Sequence, residues 1–140
     1  MTTIKQRASN VERKIVSLFR DHGFAVIRAP ASGSKSKQPL PDIVALKDGK
    51  IIVIEVKSRV HDKSVYISKE QYDGILRFAH VAGAKAYVAV KNPDGLHFVN
   101  LEELEKTRGE NYVVSREKIV NGLTFTQLVD SLKSTSSTQS

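Results

Sequence analysis

The residues of this 140-residue chain with the greatest chemical potential are two carboxylates and a lysine: Asp42, Glu55 and Lys57. They bracket the stretch DIVALKDGKIIVIEVKS, two β-branched runs on either side of Asp48-Gly49, a pair that favours a type I′ hairpin turn. If those two residues form the whole loop, Lys47 faces Lys50, and counting outward brings Asp42 opposite Glu55. Directly opposed residues hold their Cβ atoms about 4.5–5.5 Å apart. Val44/Val53 and Leu46/Ile51 share that side of the hairpin, and so does Lys57, two residues beyond Glu55. Like charges facing each other destabilise a sheet, so the arrangement calls for a cation between them. Lys57 is one candidate. A hard divalent ion such as Mg²⁺, which takes carboxylate and water oxygens, is the other. A metal beside a lysine can polarise a phosphoryl oxygen while the lysine orients or deprotonates an attacking water. The plainer alternative is a surface ion pair of Glu55 with Lys57 at a frayed hairpin end. The register of the two acids, and Pro41 breaking the chain beside Asp42, favour the chemical reading.

Glu12 is a third carboxylate within reach of such a site. Ser9-x-x-Glu12 reads as a capping box, in which Glu12 would bond back to the first amide of a helix. Glu12 also lies at the edge of the apolar face made by Val11, Ile15 and Phe19, which points it toward the rim of the sheet that this face covers.

Positive charge surrounds these acids in sequence. Lys and Arg number 22 against 15 Asp and Glu, a net of +7. Residues 1–37 hold eight bases (Lys5, Arg7, Arg13, Lys14, Arg20, Arg28, Lys35, Lys37) against Glu12 and Asp21, so +6 of the excess lies in the first quarter. A cationic footprint placed this way suits a polyanion, most simply nucleic acid. Lys35 and Lys37 sit in the Pro/Gly/Ser-rich stretch that leads into Asp42, where a basic loop could grip phosphate. The basic segment has no aromatic interleaving for single-strand stacking, so duplex binding fits better. The chain has no cysteine, which excludes disulfides, thiolate metal sites and a thiol nucleophile. The four histidines (His22, His61, His80, His97) lack metal-binding spacing, and no Gly-rich phosphate loop is present. No apolar run is long enough for a membrane span, and the expected setting is cytoplasmic, beside the nucleoid.

The elements that must position these residues follow from periodicity. A helix is expected from Ser9 to Gly23, with Val11, Ile15, Leu18 and Phe19 on one face, followed by a strand over 24–28. After the hairpin, Ser68 and Gln71 form a capping box for a helix ending at Gly83. Strands are expected at 85–91 and 95–100, a short helix near 101–106 and a last helix near 125–133, with 112–114 ambiguous. Tyr72, Ile75, Leu76 and Ala79 make one face of the second helix. Phe78 and Val81 fall on another, where they could cover the domain's own core or form a two-fold contact between copies. The order predicts a single α/β domain over 1–133, with a mixed central sheet flanked by helices, and a disordered tail over 134–140.

Pro41-Asp42, twelve intervening residues, then Glu55-Val56-Lys57 resembles the P-D…(D/E)-x-K signature of the restriction-endonuclease-like nucleases. Joined to N-V-E-R (10–13), G-F-A-V-I-R-A-P-A-S-G-S (23–34), P-D-I-V-A-L-K-D-G (41–49) and I-I-V-I-E-V-K-S-R (51–59), the pattern resembles the archaeal Holliday junction resolvases of the Hjc type over residues 7–133. That resemblance implies a restriction-endonuclease-like fold and a homodimer that places paired, symmetric nicks in a four-way DNA junction during recombination and repair, using Mg²⁺ or Mn²⁺. It implies metal-site roles for Glu12, Asp42 and Glu55, a catalytic role for Lys57 and a role for the loop serine Ser32. It also matches Arg13 and Arg28 to basic positions that family members need for DNA handling or cleavage. Beside it, the basic segment makes Arg7, Ser32, Lys35 and Lys37 expected DNA contacts, and the second helix offers Phe78 and Val81 as the candidate dimer contact. Recombination or replication factors such as a sliding clamp are candidate further partners. The competing readings are a nuclease of the same fold acting on other DNA and a DNA-binding protein without catalysis, which would have no use for a repulsive acidic pair.

Overall fold

The computed structural model describes residues 3–30 and 39–136. A helix, α1 (Ile4–Asp21), leads into β1 (Ala25–Arg28), and the hairpin β2 (Ile43–Lys47) and β3 (Lys50–Ser58) comes next in the chain. Next come β4 (Val65–Ile67), α2 (Lys69–Ala82), β5 (Lys85–Asn92) and β6 (Gly95–Asn100). A single 3-10 turn at Leu101–Glu103 leads to β7 (Glu105–Lys106), β8 (Tyr112–Val114), α3 (Arg116–Val120) and α4 (Phe125–Ser136). The central sheet has five strands in the order β1-β2-β3-β5-β6. β3 and β5 run parallel and the other neighbours antiparallel. A second sheet has three strands in the order β4-β8-β7.

β3 is the middle strand, and its sequence KIIVIEVKS is apolar on both sides because both faces are covered. On one face Ile15, Val16 and Phe19 of α1 and Leu128, Val129 and Leu132 of α4 pack on Ile43, Ala45, Ile52, Ile54 and Phe98. On the other, Tyr72, Ile75 and Ala79 of α2, with Val65, Ile67 and Val114 of the small sheet, pack on Val53, Val88, Val90 and Val99. The two faces bury alternate residues of the same strands, as the two-residue period requires.

Several expectations need correction. α1 begins two turns earlier than Ser9: Thr3 is its N-cap, its side chain accepting from the Gln6 amide, and Gln6 bonds back to the Thr3 amide. Ser9 and Glu12 therefore lie inside the helix, where Glu12 has no capping duty. A competing capping pair upstream won because it adds two turns of helix at no further nucleation cost. The same economy carries α4 through Ser136, past the expected boundary after Lys133. Residues 101–106 divide into the 3-10 turn and β7, and 112–114 resolve as β8. β4 and α3 lack their own periodic signal, being three and five residues long.

Candidate active site

The hairpin register is the one that Asp48-Gly49 implies. Both residues have positive φ, 52° and 77°, and Lys47 pairs with Lys50 and Ile43 with Ile54. One step further out, Asp42 and Glu55 meet. The Val56 amide donates to Asp42 Oδ2 at 2.8 Å, which fixes the Asp42 side chain against β3. Pro39 presses on α2 at Gly74, where a Cβ would stand 3.0 Å from the proline ring, so only glycine allows this approach. That contact seats the segment leading into Asp42.

Glu55 is an acid in the middle of a buried strand, 4% exposed. Lys57 Nζ lies 3.6 Å from Glu55 Oε2. The second contact on that oxygen comes from α2: Gln71 Nε2 donates to it at 3.2 Å, while Gln71 Oε1 accepts from Lys57 Nζ at 3.3 Å. One amide thus spans the acid and the base. Ser68 caps α2 through the Gln71 backbone amide. The capping box is only half formed, because the Gln71 side chain is spent on the site instead. Sequence reasoning missed this role, yet there was a signal. Gln71, Ile75 and Ala79 are spaced four apart, so a polar residue sits on the buried stripe of α2.

The electrostatics follow from burial and crowding. Glu55 is pushed up to about 8, first by burial and then by the charge of Asp42, with Lys57 pulling the other way. Asp42 is also raised by burial, against the lowering effects of the Val56 amide, its hydrogen bond with Glu55, and Lys57 and Arg28. The two carboxyls are close enough to shift one another, Asp42 raising Glu55, and a single proton shared between them would relieve the repulsion. One lysine does not neutralise two buried carboxylates. A divalent cation replacing the shared proton would, so the donor set fits a hard metal.

Glu12 stands off from this pair. Its Oε1 accepts from Arg28 Nε at 2.9 Å, and Arg28 Nη2 reaches the Ser9 hydroxyl at 2.7 Å and the Ser9 carbonyl at 3.3 Å. Burial raises the Glu12 carboxyl, Arg28 lowers it through the hydrogen bond, and Asp42 is near enough for its charge to raise it further. Among the described residues no set of three acidic or histidine side chains converges as a metal cage. The structure therefore brings Asp42, Glu55, Lys57 and Gln71 together and holds Glu12 and Arg28 beside them as a separate pair. Arg13 is exposed and donates to Asn10 Oδ1, and Arg7 is half-buried along α1. Ser32, Lys35 and Lys37 lie outside the described residues. Phe78 is half-buried against the α2-side core, while Val81 is 86% exposed. No helix among the described residues is long and apolar enough to cross a membrane.

Known proteins share both this sequence and this architecture. A family model described as archaeal Holliday junction resolvase (Hjc) matches residues 3–137. The crossover junction endodeoxyribonuclease Hjc of Sulfurisphaera tokodaii is 50% identical over 129 residues, 92% of this chain and 90% of that protein. The protein of the same name from Sulfolobus acidocaldarius is 46% identical over 125 residues, 89% of this chain and 87% of its own length. Among solved structures, Archaeoglobus fulgidus Hjc, a Holliday junction resolvase, superposes with a TM-score of 0.77 at 32% identity, covering 87% of this chain and 98% of that one.

Proposed function

The chain belongs to the archaeal Holliday junction resolvase family, and on that premise we propose that it is an endodeoxyribonuclease that nicks four-way DNA junctions, with Asp42, Glu55 and Lys57 as its reacting centre. The observation that carries this reading is the buried, under-neutralised carboxylate pair beside Lys57. Such a pair is costly to fold and useful only where a cation is to be held.

Asp42 and Glu55 would hold Mg²⁺, with Mn²⁺ as a substitute, and Glu12 would approach once DNA or metal draws it from Arg28. The metal supplies Lewis-acid stabilisation of charge at the scissile phosphate. The chain's own residues do the remaining work. The Val56 amide holds Asp42 in place. Gln71 keeps the Lys57 ammonium and the Glu55 carboxylate at a fixed separation. The Lys57 side chain is 16% exposed, and its ammonium can orient an attacking water by donating to it. Arg7, Arg13, Arg28, Ser32, Lys35 and Lys37 would contact the sugar–phosphate backbone, which sets position and carries no base readout. Two copies joined through Phe78 and Val81 would present two such centres symmetrically and give paired nicks.

The test compares a four-way junction with a linear duplex of the same sequence, in Mg²⁺ and in EDTA. The junction alone should be nicked, and only with metal. Asp42→Asn should abolish nicking, by about 10³-fold or more, while leaving junction affinity within a few-fold. Full nicking by that variant would remove Asp42 from the reacting centre.

A further inference from the structure

The sequence concentrates basic charge in residues 1–37, but folding creates another cationic surface from a segment that is close to balanced. Residues 59–64, RVHDKS, contain two bases, one acid and a histidine. The acid is turned away: Asp62 Oδ2 pairs with Arg116 Nη2 at 2.9 Å, and the neighbouring Ser64 hydroxyl accepts from the Arg116 amide. What remains is a groove of about 480 Å³ lined by Arg59, His61, Lys63, Ser64, Val65 and Tyr66, with no carboxylate in its wall.

The groove is shaped before anything binds. The Arg59 amide donates to the Lys91 carbonyl at 2.8 Å, extending the β3–β5 ladder by one residue, and Arg59 Nη1 bonds the Ser58 carbonyl. The Lys63 amide donates to His61 Nδ1 at 3.1 Å. An accepting Nδ1 places the neutral ring's proton on Nε2, leaving an N–H donor free for a ligand. Lys63 and Tyr66 are both exposed. Arginine, imidazole N–H, ammonium and phenol hydroxyl together form a donor set for phosphate oxygens.

Position gives the groove its meaning. Glu55, Lys57 and Arg59 are spaced two apart along one strand and its extension, so they project from the same face. Each such step advances about 6.6 Å, close to the axial rise of two nucleotides of a DNA strand. We propose that the Arg59–His61–Lys63 groove is a phosphate-binding site that grips the backbone of a DNA arm a few nucleotides from the bond that Lys57 addresses. This rests on the nuclease reading of the Asp42/Glu55/Lys57 centre, and it is tested by binding, which that reading's failure would leave measurable.

Junction affinity is measured against salt for the full chain in the Asp42→Asn background and compared with the same chain carrying Arg59→Ala and Lys63→Ala. Two lost phosphate contacts should lower the magnitude of the log–log salt slope by about 1.8 and weaken binding about tenfold or more near physiological salt. Lys63→Ala alone, at an exposed position that cannot unfold the domain, should lower it by about 0.9. An unchanged slope in both variants overturns the groove. In the otherwise unsubstituted chain, methylphosphonate linkages are walked outward from the nick. A neutral linkage two to four nucleotides away should weaken binding there, and not in the Arg59/Lys63 variant. Equal sensitivity in both chains also overturns it. Wild-type junction nicking, run alongside, reports separately on the nuclease reading.

Discussion

Two acid–base pairs sit at the same end of the sheet and have opposite characters. Glu12 and Arg28, on the α1 side, are matched one to one at 2.9 Å, and Arg28 has two further bonds to Ser9. Their side chains keep 19% and 28% of their surface in solvent. Glu55 and Lys57, on the α2 side, are 3.6 Å apart, 5% and 16% exposed, and share their space with a second carboxylate. The first pair closes its own charge account. The second leaves negative charge in a low-dielectric place, where the nearest remedies are a proton or a metal. Hydrogen-bonded pairing makes a tether, and deliberate under-neutralisation makes a reactive site.

Replacing the cation of each pair should therefore have different consequences. Lys57→Ala removes the group proposed to orient the attacking water, and the nicking rate should fall about 10²–10⁴-fold at saturating junction with affinity within a few-fold. Arg28→Ala leaves Glu12 partly buried without its donor. It should lower Tm by about 3–8 °C and slow single-turnover cleavage much less than Lys57→Ala does. Equal losses in the chemical step would erase the distinction between tether and reactive pair.

Gln71 tests the second pair more finely, since it positions both members and touches neither metal nor DNA in the proposed scheme. Gln71→Ala should slow nicking about 10–100-fold, the usual cost of losing an outer partner of a metal site. Its signature is a weaker apparent Mg²⁺ affinity and a shifted pH–rate profile, partly restored by Gln71→Asn only if the shorter amide still reaches. A rate loss with neither signature would reduce Gln71 to packing.

Much of this centre was legible before the fold was known, and the reason is local. Asp48-Gly49 sets a turn, the turn sets a register, and the register alone carries Asp42 to Glu55 across twelve intervening residues. The helix faces of α1 and α2 were readable from the same kind of short-range period. What escaped depended on two local signals competing or on distant partners. Ser9-x-x-Glu12 and Thr3-x-x-Gln6 both look like capping boxes, and only the packed helix decides between them. Glu12 finding Arg28, and Asp62 finding Arg116, are contacts across 16 and 54 positions that no spacing announces. Charge counting located the N-terminal excess but averaged away the Arg59–Lys63 groove, because it could not see that the one acid there faces elsewhere.

The smallest expected effect bears on the charge imbalance itself. An unfolded Glu releases its proton near 4.5, whereas Glu55 in the folded chain holds it to about 8. Between those values the unfolded state binds fewer protons than the native one, so unfolding becomes easier as pH rises, and the loss levels off above about 8. The sign is opposite to that of a salt-bridged carboxylate such as one held down by a matched arginine. Glu55→Gln removes the titration, and at pH 8–9 in EDTA its Tm should exceed that of the wild-type chain by about 3–8 °C, the gap closing toward pH 4–5. In the proposed scheme Mg²⁺ would bind the ionised pair, so it should stabilise the wild type most at the alkaline end, where the proton no longer competes, while leaving Glu55→Gln nearly unmoved. A metal-free wild type that loses no stability relative to its Gln variant between pH 5 and 8 would mean that Lys57 already neutralises the pair and that no charge imbalance is left for a metal to relieve.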